Sequence, residues 1–538
     1  MKHLVAFMAC SVLISACKSG SGGDQQTFVS YPDIITVRRH PVFPGEPGNE
    51  LIMLSVPVGE SPEPGLSVNR MDVNFERGSD TKSLSMIEIL YRGVEGGISE
   101  IEKFGQISDP GVLNRIAGKT LLGKGNNIFV VSFKTKPDID LLGKLWIKNV
   151  RMIFSDGSVR KIVPHPGTDP FRYGLILRRA GDDGSDTYRI PGLATTTEGT
   201  LLAVYDVRYN NSKDLQEDID VGMSRSTDGG QTWEPMKIIM DMDGWGNRPE
   251  EENGAGDPCI LVDELRGTVW VAGLWLHGFP GTAAWNSSGP GLDPEETGQL
   301  LIVKSDDDGI SWSDEINITA QVKDPDWRLL LQGPGKGITL HDGTLVFPAQ
   351  YKDAAGIPFS TIIWSDDGGK SWHSGTGAKE NTTEAQCVQL SNGDIMLNMR
   401  DNRNSTIKDE NNGRAVAITR DLGKTWESHP SSNSALPEPV CMASLISADI
   451  EISGKKHKIL LFSNPADKHT RSKMTIKASI DEGLNWPGKY QLELNQEEGF
   501  GYSCLAMIDE NTVGILYEGE KDLFFQKIPL KDIIGDLK

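Results

Sequence analysis

The chain carries few positive charges for its size. It has 54 Lys and Arg residues against 75 Asp and Glu residues, which gives a formal net charge of -21 at pH 7. A surface of this sign repels nucleic acids and anionic membranes, so we expect no nucleic-acid partner. An anionic small substrate is still compatible with this composition, because a few arginines gathered in one pocket override the net field locally.

The sequence also lacks any long apolar run beyond its first residues. The stretch 4–16 is apolar except for two serines, and it is too short to span a bilayer but suits the core of a signal peptide. We therefore predict that residues 1–16 are a signal peptide.

This segment ends in the sequence Ile-Ser-Ala-Cys at residues 14–17, which resembles the lipobox of bacterial lipoproteins. The resemblance implies cleavage before Cys17, lipidation of its thiol, and a cell-envelope lipoprotein at the periplasmic or outer cell surface of the outer membrane. Residues 17–27, rich in Ser and Gly, then form a flexible lipidated tether. The alternative is plain secretion with Cys17 as a free thiol.

Cysteine is scarce. Without Cys10 and Cys17, four cysteines remain, and none has the spacing of a metal site, so we interpret them as small buried hydrophobic residues: Cys259, Cys387, Cys441 and Cys504. Zinc, phosphate-loop and dinucleotide motifs are absent. The stretch from Asp241 to Glu252 partly fits a calcium loop, but Trp245 occupies a ligand position. We expect no metal and no cofactor.

The length of the chain suggests two domains. Short runs rich in Val, Ile and Leu, separated by Gly, Pro, Asn and Asp, predict a β-sandwich over residues 28–165. The proline-rich segment 164–170 marks the boundary, and the second domain covers residues 166–538. We expect the sandwich to be a carbohydrate-binding or spacer domain that is dispensable for chemistry.

The second domain contains five copies of the pattern Ser/Thr-x-Asp-x-Gly-x-Thr/Ser/Asn-Trp. Their aspartates are spaced by 79, 60, 54 and 60 residues, which suits one four-stranded blade per copy of a β-propeller: Asp228, Asp307, Asp367, Asp421 and Asp481. Because they recur once per blade, we predict a structural role, with the carboxylate accepting from turn N–H groups and the Trp filling the gap between blades.

These copies resemble the Asp boxes of sialidases, and one further divergent blade implies a six-bladed, all-β propeller. Tyr188-Arg189-Ile190-Pro191 resembles the Phe/Tyr-Arg-Ile-Pro motif that opens the catalytic domain of bacterial and animal sialidases. The resemblance extends from about Leu175 to Phe525 and does not include the N-terminal domain.

The resemblance implies three arginines that bind the substrate carboxylate: Arg189, Arg400 and Arg471. Arginine suits this role because its planar, permanently charged group donates in pairs to a carboxylate. Lys473 is a weaker candidate for the third position, and Glu518 matches the carboxylate that orients the first arginine.

The resemblance also assigns the reacting groups. Tyr502 matches the nucleophile and Glu384 its partner base, which suits a substrate whose carboxylate would repel an attacking carboxylate. Asp214 matches the acid/base, with Asp218 and Asp220 as alternatives in the same loop. Three other residues complete the assignment, with Arg208 and Asp257 expected to touch ring substituents and Tyr517 expected only to pack.

The function implied is a retaining exo-α-sialidase that acts, as a monomer, on terminal sialic acids of glycoproteins, glycolipids and oligosaccharides. One alternative is a sialoglycan-binding lipoprotein without hydrolytic activity. Another is trans-sialidase chemistry, in which an acceptor sugar or the substrate's own hydroxyl replaces water. The preference among α2,3, α2,6 and α2,8 linkages and the glycan bound by the N-terminal domain stay open at this level.

Overall fold

The computed structural model describes residues 34–37, 39–46, 48–59, 65–96, 101–164, 169–278, 282–452 and 455–535. The predicted signal peptide, Cys17 and the tether lie outside these ranges. Within the described ranges, no helix has the length and apolar character needed to cross a membrane.

The first eleven strands form two packed sheets and a small ribbon. Their bounds are β1 Ile34–Val37, β2 Asn49–Val58, β3 Ser67–Phe75, β4 Leu84–Val94, β5 Glu102–Ser108, β6 Leu113–Leu121, β7 Gly125–Thr135, β8 Lys144–Leu145, β9 Ile147–Phe154, β10 Val159–Ile162 and β11 Phe171–Arg172. One sheet has the order β1-β2-β7-β4-β5 and the other β10-β9-β3-β6, while β8 pairs with β11. Apolar residues of both sheets share one core, as expected for a sandwich.

The remaining strands form six sheets, which we number as blades 1 to 6. Blades 1 and 2 contain β13 Thr187–Thr195, β14 Leu201–Arg208, β15 Ile219–Ser226, β16 Lys237–Met240, β17 Ala255–Val262, β18 Val269–Trp275, β19 Gln299–Ser305, β20 Ile316–Asn317 and, added to blade 2, β22 Gly335–Lys336. Blade 3 contains β21 Leu329–Gln332, β23 Ile338–Thr339, β24 Leu345–Lys352, β25 Pro358–Ser365, β26 His373–Ser374 and β27 Lys379–Glu380.

Blades 4 to 6 follow the same pattern. They contain β28 Thr382–Gln389, β29 Ile395–Asp401, β30 Ala415–Thr419, β31 Glu427–Ser428, β32 Ser444–Ile452, β33 Lys455–Pro465, β34 Met474–Ser479, β35 Gln491–Asn495, β36 Ser503–Asp509, β37 Thr512–Glu518 and β38 Leu523–Pro529. The early strand β12, Leu175–Arg178, pairs with β38 and completes blade 6, so the two ends of the domain close the ring. The all-β fold class, a six-bladed propeller after a sandwich, is confirmed.

Helices are short. The α-helices are α1 Ala284–Ser287, α2 Thr319–Val322 and α3 Lys531–Ile534. The 3₁₀ helices are Thr81–Ser83, Asp182–Gly184, Trp245–Asn247, Glu250–Glu252, Asn402–Ser405 and Gly488–Tyr490.

The repeated aspartates have the structural role predicted for them. Asp367 accepts from the backbone N–H of Lys370 and of Ser371, both at 3.0 Å, and from the hydroxyl of Ser371 at 2.7 Å. The Trp of each copy packs toward the preceding blade, as in the ring contact between Trp233 of blade 1 and Phe525 of blade 6, whose centroids are 5.1 Å apart. Blade 6 alone carries no copy of the pattern.

The four late cysteines are buried and unpaired, which confirms their interpretation as small apolar residues. The sandwich core includes Phe171 and Tyr173, which lie beyond the proline-rich segment. The packed core of the sandwich therefore extends beyond the proline-rich segment, because β11 returns to pair with β8.

Candidate active site

A cavity of about 350 Å³ opens among the blades, and its lining comes from blades 1 to 4 and 6. Half of the polar lining residues lie on or next to the first strand of a blade, and first strands of adjacent blades contact each other, as β13 does with β17 and β36. Residues far apart in the chain therefore converge at one place. Asp214, Asp257, Glu384, Arg400 and Tyr502 all line this cavity.

Three of these first strands lose register where they meet the cavity. The pairing shifts between Arg189 and Gly192 in β13, between Gly256 and Cys259 in β17, and between Thr382 and Ala385 in β28. A bulge re-aims the side chain beside it, and bulges are common next to active sites. Ile190, a β-branched residue, has φ +57° and Asp257 has φ +56°, conformations that are strained for side chains of this kind.

The three predicted arginines surround one aromatic ring. The guanidinium carbon of Arg189 lies 5.2 Å from the ring centre of Tyr502, and that of Arg471 lies 5.7 Å from it. Arg400 donates from Nη1 to the Tyr502 hydroxyl at 3.0 Å. Arg471 also donates to the carbonyl oxygens of Phe500 and Val440, both at 2.9 Å. The structure thus gathers three cations that no local sequence pattern brings together.

Glu518 lies behind this group and is almost fully buried, with 1% of its side chain exposed. Its Oε1 accepts from Nε of Arg189 at 3.0 Å and from the N–H of Ile190 at 2.9 Å, and its Oε2 accepts from the N–H of Tyr502 at 2.8 Å. One carboxylate therefore fixes both the first arginine and the backbone of the tyrosine.

The hydroxyl of Tyr502 donates to Oε1 of Glu384, and Oε2 of Glu384 accepts from Nη1 of Arg400 at 2.6 Å. Burial and then the charge of Glu384 raise the pKa of Tyr502 well above its usual value, while Arg400, Arg471 and Arg189 oppose the rise. The phenol therefore stays protonated at rest, and its proton already points at a base.

Asp214 lies at the cavity mouth with 72% of its side chain exposed. Its Oδ1 accepts from Nη1 of Arg208 at 2.8 Å and from Nη1 of Arg189 at 3.2 Å. Desolvation raises the pKa of Asp214, but the charges of Arg208, Arg189 and Arg400 lower it by more, so the pKa of Asp214 lies below its usual value. In the resting structure this side chain is an ion-pair acceptor rather than a proton donor.

The two alternatives for Asp214 lie elsewhere. Asp220 accepts from the hydroxyl of Tyr209 at 2.9 Å and forms a group with Asp241 and Asp243, whose ligand oxygens lie within 4.8 Å of one another. Burial and Asp241 raise the pKa of Asp220 to about 8. Asp218 has its pKa raised by burial and by nearby carboxylates that include Asp241. The stretch that starts at Asp241 therefore joins an acidic group that the sequence did not predict.

The structure also distinguishes Arg471 from the weaker candidate Lys473 and gives Tyr517 a packing role. Lys473 forms an ion pair with Asp467 at 2.7 Å and is half exposed, whereas Arg471 faces Tyr502. Tyr517 is fully buried and donates to Oε1 of Gln526 at 3.1 Å, so it packs beneath the site.

Arg208 and Asp257 occupy different positions in the site. Arg208 has 1% of its side chain exposed and contacts Asp214, so it acts from behind the cavity wall. Asp257 lines the cavity, and burial followed by the charges of Asp206 and Asp214 raises its pKa well above the usual range.

Sequence reasoning missed the apolar side of the cavity. It is formed by residues from blades 2 and 3 and two connecting segments: Leu215, Leu274, Trp285, Leu329 and Leu331. These residues carry no motif, and single apolar residues on separate strands look like core positions. Asp206, which lies two residues before Arg208 and contacts it, was also missed, although the Asp-x-Arg spacing on one strand was a signal.

The comparisons with known proteins agree with this geometry. A family profile described as a BNR repeat-like domain matches residues 199–515. A sialidase from Bacteroides fragilis is 44% identical, over 94% of this chain and 96% of that protein. A sialidase from Micromonospora viridifaciens is 33% identical, over 66% of this chain and 53% of that protein.

A solved structure, the Hadza microbial sialidase Hz136, is 42% identical and superimposes with a TM-score of 0.84, over 93% of this chain and 99% of that one. The match covers the sandwich as well as the propeller. The chain belongs to the bacterial exo-α-sialidases, the glycosidases built on a propeller of BNR repeats that release sialic acid.

Proposed function

We propose that the protein is a retaining exo-α-sialidase that forms a covalent intermediate on Tyr502 and acts on terminal sialic acids of glycoproteins, glycolipids and oligosaccharides. The observation that supports this most strongly is the buried pair of Tyr502 and Glu384, enclosed by Arg189, Arg400 and Arg471. The arginines bind the substrate carboxylate, which brings the anomeric carbon over the Tyr502 oxygen.

In the first step the bond between the anomeric carbon and the leaving oxygen breaks and a bond to Tyr502 Oη forms. The phenolic proton passes to Glu384, and Asp214 donates a proton to the leaving oxygen. In the second step water attacks the same carbon, the bond between that carbon and Tyr502 Oη breaks, and the water gives a proton to Asp214 while Glu384 returns a proton to the Tyr502 oxygen. Two displacements at one carbon retain its configuration.

Asp214 has to change partner and protonation state before the first step. At rest it accepts from Arg189, which the substrate carboxylate also needs. A bound carboxylate takes over Arg189 and cancels part of the positive charge that lowers the pKa of Asp214, so binding favours both release and protonation of this side chain. Its high exposure leaves it room to turn toward the leaving oxygen.

A fluorinated sialic acid that reacts and then hydrolyses slowly tests this mechanism. Mass spectrometry of the intact protein should show one adduct, and the modified peptide should contain Tyr502; Tyr502→Phe should show none. An adduct on another residue, or none in a protein that cleaves sialosides, contradicts the tyrosyl intermediate.

The rival functions have their own readouts. A trans-sialidase gives a sialylated acceptor or an anhydro sugar in place of free sialic acid, which mass spectrometry of the products separates. A binding protein without hydrolysis gives no product, and the tyrosine-base pair in the site argues against it. NMR of the first-released sugar distinguishes retention from inversion.

We further propose that the protein is a monomeric lipoprotein of the cell envelope, anchored to the membrane through Cys17, and that its sandwich binds carbohydrate or acts as a spacer. The support for the anchor is the apolar segment that ends in Ile-Ser-Ala-Cys at residues 14–17. The anchor would hold the enzyme at the surface where extended glycans arrive.

A further inference from the structure

We propose that Asp206 is a positioning residue for the acid/base: it fixes Arg208, which in turn fixes Asp214, and it holds the backbone of Asp257. This inference rests on the proposed function, since it concerns the residue that protonates the leaving oxygen.

Asp206 lies on β14 of blade 1, and only 1% of its side chain is exposed. Its Oδ2 accepts from Nε of Arg208 at 3.1 Å and from Nη2 at 2.8 Å. Two donors of one guanidinium on one buried carboxylate fix the orientation of the arginine, and they leave Nη1 directed outward.

That outward nitrogen reaches the loop of the acid/base. Nη1 of Arg208 donates to the carbonyl of Ser212 and to Oδ1 of Asp214, both at 2.8 Å. Asp214 is exposed and lies on a loop, so packing does not hold its side chain. Its position depends on Arg208 and Arg189, and substrate claims Arg189. Arg208 is therefore the contact that remains through the reaction.

The second oxygen of Asp206 acts on blade 2. Oδ1 accepts from the N–H of Asp257 at 2.8 Å, at the residue whose φ is +56° in the bulge of β17. Asp206 thus joins the two blades on the acid side of the cavity. Within the part of the chain that the structure describes, no donor is directed at the carboxyl group of Asp257, whereas Asp206 accepts three hydrogen bonds. Burial raises the pKa of both carboxyl groups, but the contacts with Arg208 favour the charged form of Asp206, whereas the charge of Asp206 raises the pKa of Asp257 further.

Asp206→Asn tests this role. On sialyllactose, whose leaving oxygen needs a proton, kcat should fall about 10-fold to 100-fold, a part of the range that a general acid contributes. On an activated nitrophenyl sialoside kcat should change much less. In the Asp214→Ala background the same substitution should have little further effect on sialyllactose, because residues that act through one another are not additive.

The pH profile gives a readout that a purely structural role does not move. Asp214 faces Arg189, Arg208 and Arg400, with Asp257 nearby as the other carboxyl group. Loss of the Asp206 charge leaves Arg208 less neutralised, so the pKa of Asp214 falls and the basic limb of kcat should move to lower pH.

Asp308→Asn is the matched control. Asp308 forms a part-buried ion pair with Arg225 at 2.5 Å and does not line the cavity. The Asp308→Asn substitution should lower the melting temperature, and any change in kcat should be the same on the two substrates. If Asp206→Asn does not fold, Arg208→Lys replaces it, since a lysine keeps the charge but lacks the rigid planar set of donors with which Arg208 binds Asp206 and Asp214.

These experiments distinguish a failure of the positioning role from a failure of the proposed function. Equal losses on both substrates, or additivity with Asp214→Ala, overturn the positioning role. If Asp214→Ala itself shows no dependence on the leaving group, the proposed function fails instead. If Asp214→Ala shows that dependence and neither Asp206→Asn nor Arg208→Lys does, only the positioning inference fails.

Discussion

The hydroxyl of Tyr502 donates to Glu384, a residue 118 positions away in the chain. Tyr502 precedes the first strand of blade 6, and Glu384 lies on the first strand of blade 4. The pair therefore forms only when blades 4 and 6 are packed around the same cavity. The geometry of the two reacting groups therefore depends on how the blades pack against one another.

Asp214→Ala and Glu384→Gln should differ in their dependence on the leaving group. An alkoxide leaving from a natural sialoside needs a proton, so Asp214→Ala should reduce its cleavage by a factor of about 10²–10⁴ and affect a nitrophenyl sialoside far less. Glu384→Gln removes the base that activates Tyr502, so both substrates should be impaired similarly. Single-turnover rates on the two substrates measure the contrast.

Asp218→Ala and Asp220→Ala serve as controls, because these side chains belong to the acidic group around Asp241. If either of them shows the leaving-group dependence while Asp214→Ala does not, the acid is a different residue of the same loop.

Glu518→Gln should raise KM and lower kcat together. The amide keeps one acceptor, so either the Arg189 side or the N–H of Tyr502 loses its partner. A buried donor left unpaired costs about 1–3 kcal/mol, which corresponds to a loss of about 5-fold to 150-fold in kcat/KM. Tyr517→Phe is the matched control: it removes a buried hydrogen bond one residue away, and it should lower the melting temperature while KM stays unchanged. Equal KM values for Glu518→Gln and the parent protein contradict this role.

Asp367→Asn should lower stability in a pH-dependent way and leave kcat unchanged. Hydrogen bonds from Ser371 and Lys370 lower the pKa of Asp367 to about 2, below its ordinary value of 3.8. A folded-state pKa that is depressed stabilises the protein above about pH 4, and this stabilisation is lost as pH falls toward 2. At neutral pH we expect a cost of about 1 kcal/mol. Thermal unfolding of both proteins from pH 7 to pH 3 measures it, and a difference that grows on acidification has the wrong sign.

Removal of the sandwich should lower stability but spare chemistry. A protein that starts at Pro166 keeps every residue that lines the cavity, so kcat on a small sialoside should be unchanged. Its melting temperature should fall, because Phe171 and Tyr173 become exposed. Exposure of each large apolar side chain lowers the free energy of unfolding by about 1.5–3 kcal/mol. Asp532 also loses Lys144, one of its two buried partners. A folded but inactive protein would show that the sandwich belongs to the active site.

Cys17→Ala should move the protein from the membrane fraction to the soluble fraction. The activity of each molecule should not change, since the proposed lipidation site precedes the sandwich and the propeller in the chain. Fractionation followed by an activity assay measures both quantities. Membrane association that persists in the variant means that the residues preceding Cys17 are not a lipobox.

Much of the architecture could be predicted from the sequence because its signals are local. An Asp box is one turn, in which Asp228 accepts from Gln231 and Thr232 a few residues away, so it leaves its imprint in eight consecutive letters. Short apolar runs separated by turn residues are a local signal too, and they predicted the sandwich. The predictions of a signal peptide and of lipidation at Cys17 rest on the same kind of local pattern.

The apolar wall of the cavity, the contact of Asp206 with the backbone of Asp257, and the ion pair of Asp214 with Arg189 were decided by tertiary structure alone. Each joins residues from different strands or connecting segments, and their geometry depends on bulges in β13, β17 and β28 that no residue pattern announces. The protonation of the site follows the same rule: the pKa of a carboxyl group such as Asp257 is raised because the group is buried and lies near other carboxylates. Composition determines which charges exist, and only the closed ring determines which of them meet.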